Sequence, residues 1–186
     1  MAAGRWRDDP AQHPALRELD RVQRELLAAT PTGLLARFGL GARPAPVRGL
    51  YLWGGVGRGK TFLVDLFYDG LPLEQKQRTH FHRFMRGVHE QLRLHAGQSD
   101  PLAAIARQWR GTLRVLVLDE FFVTDIGDAM LLGRLLERLF AEGITLVTTS
   151  NTAPQNLYKD GLQRESFLPA IAQLRQHCVE LSADGR

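Results

Sequence analysis

Eight residues, Gly54-Gly55-Val56-Gly57-Arg58-Gly59-Lys60-Thr61, follow directly on the apolar run Gly49-Leu50-Tyr51-Leu52-Trp53. They satisfy G-x-x-x-x-G-K-[ST] at every fixed position, a pattern that demands a strand, a tight glycine loop and a helix in immediate succession. Glycines allow consecutive backbone N–H groups to turn inward on an anion, while Lys60 brings a cation and Thr61 a hydroxyl suited to Mg²⁺. Phe62, Leu63, Leu66 and Phe67 recur at helical intervals, so a helix N-terminus adds its partial positive charge at the same point. The nucleotide-contacting set expected from this loop is Gly54, Gly55, Val56, Gly57, Arg58, Gly59, Lys60, Thr61 and Phe62.

A fold that carries such a loop must supply further strands, and the sequence offers them. After strand 49–53 comes a helix over 60–69, stopped by Gly70 and Pro72, and then a short strand over Thr79–His82. Two helical segments follow: one holds Met85, Val88 and Leu92, and the other opens on Asp100-Pro101, an N-cap followed by a first-turn proline. Val115–Leu118 is an apolar run too short for a helix and flanked by charge, which suits a central strand buried on both faces. Leu132, Leu135, Leu136, Leu139 and Phe140 mark a helix ending near Gly143. Strand 144–149, helical residues 154–175 broken at Gly161, and strand Cys178–Leu181 complete the alternation, which implies an α/β fold with a parallel sheet covered on both sides. Ahead of it, Leu16, Leu19, Val22, Leu26 and Leu27 describe an amphipathic helix, and Pro31–Pro46 a Gly/Pro-rich connector. Residues 1–48 are thus expected to form a helix and connector, and 49–186 the core unit.

Composition narrows the class. With 44% hydrophobic and 24% charged residues over 186 positions, the chain can fill a core, and no apolar stretch approaches the ~18 residues that would span a bilayer. Asp8, Asp9 and Pro10 stand where a signal peptide would need an apolar centre, so an intracellular protein is expected. The net charge of +4 invites a nucleic-acid reading, but lysines are few and the arginines are interspersed with acids, which reads against direct nucleic-acid binding. Cys178 is expected to be a buried thiol.

Several residues carry candidate chemistry. Val115-Leu116-Val117-Leu118-Asp119-Glu120 is a strand ending in two carboxylates, and ligands of open parallel sheets sit beyond the carboxyl ends of strands. Asp119 would hold Mg²⁺ beside Thr61, directly or through water, and Glu120 would polarise the water that attacks the terminal phosphorus. Thr148-Thr149-Ser150-Asn151 closes another strand. Asn151 either senses the phosphate or, with Ser150, caps the following turn. Arg164 precedes Ser166, read as a helix N-cap, and so should be exposed near a helix entry, either as a plain surface charge or as a cation reaching a neighbouring subunit's phosphate. His80 and His82 share a face if 79–82 is a strand, a metal-like pair or two packing histidines. Phe84 and Met85 either grip a polypeptide from a loop or fill the core.

The blocks GLYLWGGVGRGKT, HFHRFM, LDEFFVTDIGDAMLLGRLL, TSN and LYKDGLQRESFLPAI together resemble the AFG1-like branch of AAA+ ATPases, from about Gly49 to Leu181. The resemblance implies a P-loop NTPase three-layer αβα core with a five-stranded parallel sheet in the order 5-1-4-3-2. It implies ATP and Mg²⁺ as cofactors, Lys60 and Thr61 as the nucleotide grip, Asp119 and Glu120 as metal and water carboxylates, Asn151 as sensor and Arg164 as an arginine finger. It also implies a bacterial cell-division ATPase acting on a protein client, the FtsZ ring or a membrane protein. That ATPase would assemble into a ring when full-length and work in the cytoplasm or peripherally at the inner membrane. A nucleic-acid-associated ATPase of the helicase-loader kind and a non-hydrolysing, nucleotide-regulated binding module are the alternatives. The family's helical lid would follow the fifth strand. The sequence given stops at Arg186, before that lid, so weak nucleotide affinity and poor ring assembly are expected of it.

Overall fold

The computed structural model describes residues 9–29 and 46–185. The expected connector up to residue 45 and the chain end at Arg186 lie outside the described residues. Helix α1 (His13–Ala28) leads into β1 (Gly49–Trp53), α2 (Lys60–Gly70), β2 (Lys76–His80), α3 (Phe81–Leu94), α4 (Pro101–Arg110), β3 (Val115–Asp119), α5 (Ile126–Ala141), β4 (Thr145–Ser150), α6 (Arg164–His177) and β5 (Cys178–Ser182). The strands form one parallel sheet in the order β2-β3-β4-β1-β5, which is the order expected. Strands β3 and β4 are buried along their whole length, whereas the edge strands β2 and β5 are mostly half-exposed.

Alternation along the inner strands splits their side chains between two cores. Leu50, Leu52, Val115, Val117 and Val147 face Leu19, Val22 and Leu26 of α1 and Leu63, Val64 and Phe67 of α2. Tyr51, Leu116, Leu118 and Leu146 face the opposite layer, where α3, α4, α5 and α6 contribute Met85, Ile105's neighbour Ala106, Leu135 and Phe167. This is a three-layer αβα sandwich. Each fully buried leucine or phenylalanine contributes about 1.5–3 kcal/mol relative to exposure, so the long apolar runs of β1, β3 and β4 decide which strands lie at the centre. Arg21 ties α1 to the start of β1 through the carbonyls of Arg48 and Gly49.

Three expectations need correction. Strand β2 lies at Lys76–His80, upstream of the expected Thr79–His82, because a polar edge strand with register Lys76 opposite Val115 shows no apolar alternation. The chain passes from β2 straight into α3, so His80 is the helix N-cap and His82 is helical, and the two do not share a strand face. Phe84 and Met85 consequently sit in the first turns of α3 and are buried, with Phe84 packed on Trp109 at a centroid separation of 5.4 Å. Third, α6 begins at Arg164 with Gln163 as its left-handed N-cap, so Ser166 is not the cap.

Candidate functional site: the phosphate loop and the strand ends beside it

Strand β1 delivers the loop and α2 receives it. Gly54 N donates to Ser150 O at 3.1 Å, fixing the loop entry to the end of β4. Gly59 caps α2 with φ of 77°, a left-handed conformation that a residue with a Cβ adopts only at a cost. Between these points the chain from Val56 to Phe62 walls a cavity of about 440 Å³, closed on the other side by Glu120, Thr149, Ser150 and Asn151. Val56 is 88% exposed at the rim.

Lys60 is the most enclosed charge in this cavity. Its ammonium donates to Gly54 O at 2.6 Å, Gly55 O at 2.7 Å and Asn151 Oδ1 at 3.2 Å. Desolvation pulls its pKa below the ordinary lysine value, with Asp184 working the other way. Asp184, just past β5, accepts from Gly55 N at 3.3 Å and pairs with Arg58 Nε at 3.0 Å. Two loop residues are thus held from the end of β5. Gln12, ahead of α1, reaches Arg58 O at 3.5 Å.

The ends of β3 and β4 are laced together. Phe121 N donates to Thr149 O, Ser150 Oγ to Phe121 O and Glu120 N to Thr149 Oγ1, at 2.8, 2.7 and 3.2 Å. Held in this way, Glu120 adopts φ of 57°, a region sparsely populated by residues other than glycine, and its carboxylate is turned outward, 3.8 Å from His80 Nδ1. Ser150 Oγ also accepts from Thr152 N. The two readings of Ser150-Asn151 therefore divide: Ser150 serves the turn, and Asn151 faces the cavity.

Asp119 is placed differently from its neighbour. It is 9% exposed, and its carboxylate is forked by Arg78 of β2, Nε to Oδ2 at 2.7 Å and Nη2 to Oδ1 at 3.2 Å. Arg78 also bonds Asp65 of α2 through Nη1. Burial works against the Arg78 charge, and Asp119 and Asp65 more than offset it, so the guanidinium pKa is raised. Arg164 is half-buried, against the expectation of exposure. Its Nη2 donates to Gln155 O at 2.7 Å and Leu157 O at 3.4 Å, and it does not line the loop cavity. His82 lines a separate open hollow of about 850 Å³ between α3 and the start of α5.

Sequence reading missed Arg78, Asp65, Asp184 and Gln12. The rule that parallel sheets build sites beyond their strand ends could have pointed to Asp184. Nothing local marks Arg78 or Asp65, whose partners are distant in sequence.

Comparison with known proteins bears on the family and the fold. A family model described as AFG1-like ATPase matches residues 1–186. The chain belongs to the AFG1-like ATPase family. It is 52% identical to the cell division protein ZapE of Escherichia coli, an alignment covering 97% of this chain and 51% of that protein. The chain therefore spans about half the length of the curated relatives it matches. Among solved structures, that of DnaI superposes with a TM-score of 0.64 at 19% identity, covering 94% of this chain and 86% of that one. AMPPCP-bound DnaA from Aquifex aeolicus gives 0.62 at 13% identity, covering 96% and 48%. At such identities these two speak for the fold alone. No helix among the described residues is long and apolar enough to cross a membrane.

Proposed function

We propose that this chain binds ATP in the phosphate-loop cavity, hydrolyses it, and uses the cycle to remodel a protein client in bacterial cell division. The observation that carries this reading is the convergence of Lys60 and Thr61 from the loop, Glu120 from the end of β3 and Asn151 from the end of β4 on one cavity. Lys60 would exchange its loop carbonyls for β and γ oxygens of the triphosphate, and its ammonium would stabilise charge developing there. Glu120 would accept a hydrogen bond from the attacking water and then its proton. Asn151, already bonded to Lys60, would orient that water against the terminal phosphate.

The Thr61 hydroxyl lines the cavity, and the Asp119 carboxylate lies outside that lining, forked by Arg78; both are hard oxygen donors of the kind Mg²⁺ prefers. Held by Thr61, and by Asp119 through water, Mg²⁺ would supply charge neutralisation at the phosphate oxygens. Arg164, strapped to its own chain's 155–157 turn, would act on the phosphate of an adjacent subunit in a ring. The likeness to the cell division protein ZapE supports a protein client in division; the proposed partner is FtsZ or a membrane protein, and the proposed location the cytoplasm or the division site.

Titration with a fluorescent ATP analogue and steady-state phosphate release test the proposal. Saturable, Mg²⁺-dependent binding with release abolished in Lys60→Ala is expected. Binding that Lys60→Ala leaves intact would sink it.

A further inference from the structure

Arg78 links α2, the helix that carries Thr61, to Asp119 at the end of β3. Thr61 and Asp65 are four residues apart on α2, one turn along the same helix face. Asp65 holds Arg78, and Arg78 holds Asp119, so a chain of three charged groups runs from the helix that carries the hydroxyl ligand to the carboxylate at the end of β3. The Arg78 side chain is 18% exposed and the Asp119 side chain 13%, so water screens this pair little.

A forked guanidinium engages one lone-pair direction on each carboxylate oxygen and leaves a second on each. A divalent ion ligated directly by those oxygens would meet the guanidinium charge at contact range. A water between ion and carboxylate removes that clash, and Mg²⁺ gives up its waters reluctantly in any case. We infer that Arg78 is a positioning residue that keeps Asp119 as a through-water partner of the divalent ion and sets how strongly that ion reinforces nucleotide binding. Asp65 tunes the effect, because it is the second anion sharing the one cation.

This rests on the nucleotide reading of the cavity, and the charge count gives it a sign that a merely structural role would not. Arg78→Gln leaves two uncompensated carboxylates, which repel free triphosphate and attract the ion. Asp65→Asn leaves one cation on one carboxylate, which weakens the attraction for the ion.

The experiment measures the affinity of a fluorescent, non-hydrolysable ATP analogue by anisotropy, in saturating Mg²⁺ and in EDTA, for the wild-type chain and each variant. The ratio of the two affinities is the readout. Arg78→Gln should raise that ratio about tenfold and Asp65→Asn should lower it about threefold, shifts of the size expected when one nearby charge is removed at an effective dielectric near 20. Arg78→Lys, which keeps the charge and loses the fork, should fall between wild type and Arg78→Gln, and it carries the test if the glutamine variant does not fold. A ratio unchanged or lowered in both Arg78 variants overturns the inference, as do Arg78 and Asp65 variants that move it the same way. Wild-type binding that is indifferent to Mg²⁺ overturns the inference and leaves the nucleotide reading standing. Absence of nucleotide binding in both conditions overturns both.

Discussion

Lys60 Nζ donates to Asn151 Oδ1 at 3.2 Å, joining the phosphate loop to the end of β4 across the cavity floor. The same ammonium is bonded to two loop carbonyls, so a phosphate that draws Lys60 away also frees the Asn151 amide. On the proposed reading, nucleotide binding and water orientation would be coupled through this one side chain.

That coupling separates the two residues experimentally. Lys60→Ala should abolish detectable nucleotide binding. Asn151→Ala removes a competitor for the ammonium, so affinity should stay the same or tighten by up to about threefold. Its turnover should fall about a hundredfold, the usual loss when one positioned hydrogen-bonding group goes. Parallel titration and phosphate-release assays check both. Equal losses of affinity in the two variants would show that Asn151 belongs to the nucleotide grip.

Glu120 is 77% exposed at its side chain, and its backbone conformation is held by Thr149, so Glu120→Gln keeps shape and hydrogen bonding while removing the proposed base. Nucleotide affinity should be preserved, and kcat should fall by at least about a hundredfold. Unchanged turnover would remove Glu120 from the mechanism.

Cys178 offers a pH test of the core. Burial pushes its thiol up to about 12, only partly countered by Arg48, and its Sγ lies 3.6 Å from Leu146 O. An unfolded cysteine ionises near pH 8.5, and only the thiolate is alkylated. Raising pH from about 7 to 9 should therefore accelerate iodoacetamide labelling of the denatured chain by more than tenfold, while the native chain stays slow throughout. Native labelling that follows the denatured curve would show that the β5 start opens readily.

Much of this fold is legible in the sequence because its determinants are local. The glycine loop, the apolar runs of β1, β3 and β4, and the Asp100 cap that accepts from Ala103 N each declare themselves within a few residues. Strand β2 is misplaced because Lys76-Gln77-Arg78-Thr79-His80 has no apolar alternation to read, and its register is set by Val115–Asp119 beside it. The start of α6 is missed because Gln163 caps it by backbone conformation, without a side-chain bond. In the candidate site, Lys60, Thr61, Glu120 and Asn151 can be read from motifs at strand ends. The Asp65-Arg78-Asp119 chain is a product of tertiary packing that no spacing rule encodes, whereas Asp184 is marked only by its place beyond a strand end.

The closeness of β1 to β4 makes the last prediction, through two glycines with opposite expected effects. A Cβ built on Gly49 would lie 1.7 Å from Leu146 O, a backbone atom of the neighbouring central strand. Neither strand can retreat without breaking the register that pairs Leu50 with Val147 and moving the loop that begins at Gly54. Gly49→Ala should therefore destabilise by at least about 3 kcal/mol, at or beyond the upper range for overpacking. Gly87, inside α3, has nothing within 4 Å of the same built atom, and glycine in a helix interior is the poorer choice by about 0.5–1 kcal/mol. Gly87→Ala should stabilise by that amount. Urea denaturation of the two variants beside the wild type reads both signs at once. A Gly49→Ala chain as stable as the wild type would mean that β1 and β4 are not packed at this distance, and the placement of the phosphate loop against Ser150 and Asn151 would fall with that packing.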